Sequence, residues 1–266
     1  MIHPTAIIDP KAKLDSTVNV GPYAVIDGGV ELGARCTIGP HVYLTGLAKI
    51  GAGNTFHAGC VIGDAPQDLK YNNEPTGLRI GDNNVFREHV TVHRSTKTTG
   101  ETVIGSRNYL MQHSHVAHNC DIGDDTIIAG GALLAGHVVV QDRAFISGNC
   151  LVHQFCRVGT LSMMQGGCAI SKDLPPFCLA LKDNEMCGLN VVGLRRGGYS
   201  PGERLELKRL YKALFRSEMS FREALAEAQR NFSSAPSKIL LEFVAEARRG
   251  IVSDIGKTPG DNEDDD

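Results

Sequence analysis

From Ile8 onward every sixth residue is apolar: Ile8, Leu14, Val20, Ile26, Leu32, Ile38, Leu44, Ile50, Phe56 and Ile62. The same phase returns at Ile80, Phe86, Val92 and Ile104, then runs unbroken from Leu110 to Ile170. A glycine often follows, as in Val20-Gly21, Ile38-Gly39, Ile80-Gly81 and Ile122-Gly123. Periods of 3.6 and 2 do not describe this series, and a hexapeptide period predicts a parallel β-helix. The fifth place of each hexad is mostly small: Ala12, Val18, Ala24, Val30, Cys36, Val42, Ala48, Cys60, Cys120, Thr126, Ala132. The first and fifth places are therefore expected to point inward, the small residue making room beside the large one. With three hexads per coil, residue i stacks under i+18 at the ordinary interstrand spacing of about 4.8 Å.

Two polar, Gly- and Pro-containing segments interrupt the series, at 64–79 and 94–103. In a solenoid such segments are loops, and loops are where binding concentrates. The period ends at Pro175-Pro176, so 1–176 is predicted to be the β-helix and 177–200 a connecting segment. A small helical domain is expected over 201–250. Its first helix runs from Pro201 to Arg216, a second opens on the capping box Ser220-Phe-Arg-Glu223, and a third covers Ile239 to Arg249 before Gly250. The run Asp261-Asn-Glu-Asp-Asp-Asp266 makes 251–266 read as a disordered acidic tail.

Composition changes this picture little. The 27 Lys and Arg against 30 Asp and Glu, a net charge of −3, give no polybasic surface for nucleic acid or anionic lipid. The first residues, MIHPTAIIDPKAKLD, have neither the basic n-region nor the apolar h-region of a signal peptide. No apolar run approaches the roughly 20 residues of a spanning helix. A soluble, cytoplasmic protein is expected. Six of the eight cysteines (Cys36, Cys60, Cys120, Cys150, Cys156, Cys168) fall on the small inward place, so they are expected to act as small hydrophobes rather than as disulfides or nucleophiles.

The histidines carry the candidate chemistry. An 18-residue coil stacks His118 under Gly136 and Gly136 under Gln154. His137 then lies one coil above His118, offset by one residue, and His153 one coil further, offset by two. None of these histidines occupies an inward place, so they project from one edge, and the 94–103 segment lies about one coil below His118. His113 and His115 precede them in the hexad and also point out. Two chemistries suit such an edge. A neutral imidazole is a natural general base for transfer to a hydroxyl, with the Gly136 backbone N–H as an oxyanion donor. Three imidazoles on neighbouring coils also suit a zinc site with an open position, as in a carbonic-anhydrase type of enzyme.

Five motifs in one order, Gln67-Asp-Leu-Lys-Tyr71, His115-Val-Ala-His118, Leu134-Ala-Gly-His137, Val152-His-Gln-Phe-Cys156 and Gly193-Leu-Arg-Arg-Gly197, resemble the UDP-N-acetylglucosamine acyltransferase family over nearly the whole chain. The resemblance implies a left-handed parallel β-helix with a C-terminal α-helical domain. It also implies transfer of an (R)-3-hydroxyacyl chain from acyl carrier protein to the 3-hydroxyl of UDP-N-acetylglucosamine, the first step of lipid A biosynthesis. By the same resemblance His118 is the general base and Gly136 the oxyanion donor. Gln67, Asp68, Lys70, His115, His137, His153 and Gln154 contact substrate, Asn190 meets the nucleotide and Arg196 a phosphate. Gly166 matches the position that sets acyl length, and its small size points to roughly 14 carbons. No cofactor or metal is implied, and the assembly is a homotrimer with sites between subunits. Acyl carrier proteins are acidic, so Arg195, Arg196, Lys208, Arg209, Lys212 and Arg216 are candidate docking residues.

Three positions depart from the family pattern: Asn119 stands where an Asp usually follows the histidine, Val192 where a Glu is frequent, and Gly197 in place of a second arginine. They leave a related sugar-nucleotide acyltransferase, acting on an amino sugar or using coenzyme A, as the alternative within the enzyme class. A non-catalytic binding solenoid is the alternative outside it.

Overall fold

The computed structural model describes residues 1–256. Each hexad contributes a two-residue strand followed by a corner, and within each such strand the second residue is the more buried. The strands form three sheets, the faces of a triangular prism. Face one holds nine parallel strands, from Ile7–Ile8 to Ala169–Ile170, and face two holds eight, from Lys13–Leu14 to Arg157–Val158. Face three runs from Asn19–Val20 to Met163–Met164 and is then extended by a hairpin, Cys178–Lys182 with Glu185–Leu189, and by Ser253–Asp254. The chain is a left-handed parallel β-helix with a small C-terminal helical region.

The interior is filled as the hexads predict. First-place Ile26, Leu44, Ile62, Ile104 and Leu134 and fifth-place Cys36, Cys60, Cys120, Cys150 and Cys156 are buried. Burial pushes the Cys60 thiol up to about 11 and that of Cys120 to about 12, so both are protonated, inert fillers. Fifth-place polar residues are paired along the axis. Asn54 Oδ1 accepts from Asn84 N and Nδ2, Asn84 Oδ1 from Asn108 N, and Asn108 Oδ1 from Thr126 N and Oγ1. Satisfied in this way, a buried ladder costs little and fixes register where coil length changes.

Coil length does change. Ordinary coils repeat at 18, as in Val25↔Tyr43. The 64–79 insertion makes one coil 30 residues long (Asn54 to Asn84), and the 94–103 insertion makes another 24 long (Thr91 to His115). Each insertion is thus a whole number of hexads, so the apolar phase survives it. The uniform 18-residue step is corrected at these two coils: the strand residue below His115 is Thr91 rather than Lys97.

Beyond the prism, α1 (Val191–Arg196), α2 (Pro201–Phe215), α3 (Phe221–Asn231) and α4 (Ala235–Ala245) follow. Ser200 and Ser220 form capping boxes with Glu203 and Glu223. α4 starts four residues before Ile239, because Ser234 caps it and Pro236 suits the first turn. Leu207, Leu210, Leu214, Leu240, Phe243 and Val244 pack together and onto Leu161 and Phe177 of the prism. Two expectations need correction. The 177–200 segment carries the hairpin and α1. The tail does not begin at 251: Ile251 bridges Asp173, and Asp254 accepts from Tyr211 Oη at 2.6 Å and Arg216 Nε at 2.6 Å. The run of acids that suggested disorder falls at 261–266, outside the described residues.

Candidate active site

His118 occupies the corner between faces one and two, in the four-residue turn that joins His115–Val116 to Asp121–Ile122. The next residue of this corner has a left-handed backbone on three successive coils: Asn119 at φ 59°, His137 at 61° and Phe155 at 65°. Such a φ strains a residue other than glycine, least for Asn. Side chains there form a column, with the His137 ring stacked on Phe155 at 4.7 Å and edge-on to His118 at 5.4 Å. Gly136 lies directly above His118. A Cβ on Gly136 would fall 2.6 Å from His118 Cε1 and 2.8 Å from Nε2, so only glycine lets the imidazole lie there. Its N–H donates to no acceptor among the described residues.

The other ring nitrogen is held. His118 Nδ1 is 2.8 Å from Asn119 Oδ1. That oxygen also accepts from Thr96 N at 3.1 Å and Thr96 Oγ1 at 2.9 Å, while Asn119 Nδ2 donates to Ser95 Oγ at 2.6 Å. The 94–103 insertion therefore reaches across the edge and grips the residue after the histidine. This contact lay beyond sequence reasoning, because the 24-residue coil hides which loop residue meets which corner.

A hollow of about 640 Å³ opens in front of Nε2. Its floor is the outward column of face one (His115, Leu133, Leu151, Ala169), and its side is the corner at Gly136, His153 and Gln154, with Gln67 at one end and Asp183 and Asn184 at the other. The arrangement thus puts one imidazole and one unpaired N–H at the head of a mainly apolar track. Leu133 and Leu151 are exposed on that track at 44% and 47%.

The expected site residues divide into two sets. Gln67, His115, His118, Gly136, His153 and Gln154 line the hollow, and His137 stands behind His118. Asp68 is near enough to His137 to act on its charge, and its Oδ1 accepts from Lys70 N at 2.9 Å. Asn190, Arg196 and Gly166 are not brought to the hollow within one chain. The Asn190 side chain caps α1, accepting from Gly193 N at 2.9 Å and donating to Leu161 O at 3.0 Å. Arg196 is exposed in the last turn of α1, and Gly166 lies on the corner between faces three and one.

His93 is an addition. It is 6% exposed, its ring is edge-on to His115 at 4.8 Å, and its Nδ1 has no partner. His115 Nδ1 pairs with Thr91 Oγ1 at 2.7 Å. Burial, and then the neighbouring His93 and His118, push the His115 imidazole down to about 4. Burial likewise lowers His93 and His137. All three are neutral near pH 7, which keeps His115 on the floor of the hollow, and the His93 and His137 rings around His118 and His115, uncharged. Because the folded value of His115 lies below its ordinary 6.5, the unfolded chain binds the extra proton between these values, and stability falls as pH drops. Between pH 7 and pH 5 wild type should lose on the order of 2 kcal/mol through this residue. Urea unfolding of His115→Gln should show a correspondingly smaller loss over the same interval.

Among the described residues no three His, Cys, Asp or Glu side chains converge in a way that could hold a metal ion. Among them, too, no helix is long and apolar enough to cross a membrane.

Comparison with known proteins agrees with the prism and its helical end. A model described as bacterial transferase hexapeptide (six repeats) matches residues 11–46 and 101–136, and one described as Udp N-acetylglucosamine O-acyltransferase, domain 2, matches 173–252. The chain is 47% identical to the acyl-[acyl-carrier-protein]–UDP-N-acetylglucosamine O-acyltransferase of Janthinobacterium sp. (strain Marseille), over 95% of this chain and 99% of the relative. It is 51% identical to that of Alkalilimnicola ehrlichii, over 94% and 98%. The crystal structure of the UDP-N-acetylglucosamine acyltransferase from Bacteroides fragilis superposes with a TM-score of 0.92 at 39% identity, over 95% of this chain and all of that one.

Proposed function

The chain belongs to the UDP-N-acetylglucosamine O-acyltransferase family, and from that premise we propose that it moves an acyl group from acyl carrier protein to the 3-hydroxyl of UDP-N-acetylglucosamine, with His118 as the base. One observation carries the assignment of residues: His118 is held at Nδ1, free at Nε2, and faces the apolar track beside an unpaired N–H.

The chemistry follows from that geometry. The sugar hydroxyl gives its proton to Nε2 as its oxygen attacks the thioester carbonyl. The carbonyl oxygen becomes an oxyanion, which the Gly136 N–H stabilises. Collapse re-forms the carbonyl and expels the thiolate, which takes the proton from the imidazolium. The acyl chain lies along Leu133, Leu151 and Ala169, where burial of each methylene contributes about 0.8 kcal/mol. The polar ends of the hollow, at Gln67 with Asp68 and Lys70 and at His153 with Gln154, are suited to the sugar nucleotide. A neighbouring copy in a homotrimer completes the wall, and would supply Asn190, Arg196 and Gly166 from positions that one chain keeps away from its own hollow. In keeping with the family, the product enters lipid A synthesis, and the acyl group is an (R)-3-hydroxy chain of roughly 14 carbons.

For the acidic carrier, α2 exposes Lys208, Arg209 and Lys212 and α1 exposes Arg195 and Arg196. Arg216 is not among the docking residues, since Asp254 holds it at 2.6 Å. Mass spectrometry of UDP-N-acetylglucosamine incubated with the protein and 3-hydroxyacyl carrier proteins of several lengths should show one acylated sugar nucleotide. A folded protein that forms none with any donor would overturn the proposal.

A further inference from the structure

We propose that the inserted loop acts as a tautomer lock on the base. Thr96 turns the Asn119 amide oxygen toward His118, Ser95 reads the amide nitrogen, and together they hold the imidazole as the Nδ1–H form with Nε2 open. This rests on His118 being the base, and it identifies Ser95, Thr96 and Asn119 as positioning residues.

The two ends of an amide have the same shape, so only the bonding around them can orient it. A backbone N–H donates and cannot accept. The Asn119 atom 3.1 Å from Thr96 N is therefore the oxygen, and Thr96 Oγ1 at 2.9 Å adds a second donor. The nitrogen end then faces Ser95 Oγ. That hydroxyl donates its one proton to Lys97 O at 3.2 Å and accepts from Lys97 N at 3.0 Å, which leaves a lone pair for Asn119 Nδ2 at 2.6 Å. An amide fits these three bonds. A carboxylate would meet a lone pair at Ser95 unless the hydroxyl abandoned Lys97 O. Thr102 Oγ1, from the far end of the insertion, accepts from Asn119 N at 2.8 Å and fixes the backbone as well. Since Asn119 Oδ1 can only accept, His118 Nδ1 at 2.8 Å must carry the proton.

The lock is neutral, and this sets it apart from a base backed by a carboxylate. The titratable groups facing His118 are His137 from the next coil and His93 and His115 from face one, all held uncharged. Asp64 and Arg94 act on His93, and Asp68 and Lys97 on His137, one shell further out. When Nε2 takes the hydroxyl proton, the Nδ1–H continues to donate to an uncharged oxygen.

The test uses the full-length protein labelled with ¹⁵N-histidine, with the His118 signals assigned by their loss in His118→Ala. At neutral pH the wild-type imidazole should be protonated at Nδ1 and bare at Nε2. Asn119→Ala should lower kcat about 10²-fold with little change in KM, and mixed tautomers should appear. Asn119→Asp should recover most of kcat while the acidic limb of its pH profile moves up by about one unit, because a carboxylate now favours the protonated ring. A wild-type proton on Nε2, or an unmoved limb in Asn119→Asp, would overturn the lock. Full activity in His118→Ala would instead remove the base assignment on which it rests, so the two failures are distinguishable.

Discussion

His118→Ala should cut turnover by about 10³-fold and leave the fold intact. A positioned general base contributes roughly 10²- to 10⁴-fold, and no other side chain lining the hollow is placed to replace it. His115 is committed to Thr91 through Nδ1, and burial with its histidine neighbours holds its proton affinity low. His153 lies further along the edge, with its Nδ1 3.1 Å from Gln154 O. His137 stands behind the ring it would have to replace. Stability should hardly change, because the His118 side chain is outside the core and its main chain is carried by the corner, where His137 N donates to His118 O at 3.0 Å. The Gly136 N–H and the apolar track remain, so residual turnover should persist at an almost unaltered KM. Stopped-assay kinetics with thermal unfolding on the same sample decide it. A variant within tenfold of wild type would mean that the proton leaves by another route.

That this prediction could be framed from sequence reflects the rigidity of the repeat. A β-helix coil has so little freedom that residue i+18 is a geometric neighbour, so the repeat alone places Gly136 over His118. The same rigidity explains why the inward places were legible down to the cysteines. Legibility ended where an insertion lengthened a coil. Thr91 pairs with His115 across 24 residues, so the 18-residue step could not bring His93 beside His115, nor Ser95 and Thr96 onto Asn119. The phase is silent there because a whole extra hexad leaves it unchanged. Asn190 illustrates a second limit. Its side chain caps α1 in this chain, and resemblance to a family reports a residue's type but not the helix end it must also satisfy. The ordered residues 251–255 illustrate a third: local acidity argued for a solvated tail, whereas Asp254 is held by Tyr211 and Arg216, partners about 40 residues away.

Gly136→Ala should lower kcat by about 10²-fold while leaving the fold in place. The backbone would accept it, since Gly136 is not among the residues with a left-handed φ. The added Cβ would lie 2.6 Å from His118 Cε1 and 2.8 Å from Nε2, well inside contact distance, so one of the two must move. Gly136 is fixed on both sides, where Ala135 N donates to Val152 O and His137 N to His118 O. The imidazole therefore moves. Rotation breaks its 2.8 Å bond to Asn119 Oδ1, and a tilt carries Nε2 off the line between the hollow and the oxyanion donor. A displacement of about 1 Å is enough for a loss of that size. Gly166→Ala is the matched control for a corner glycine, because a Cβ there meets only Gly148 O, at 3.5 Å, and should leave the melting temperature and the wild-type tautomer untouched. If Gly136→Ala keeps wild-type kcat, the imidazole has room that this corner does not show, and its working position lies elsewhere. If kcat falls while the melting temperature holds, the corner glycine is there for the base and not for the fold.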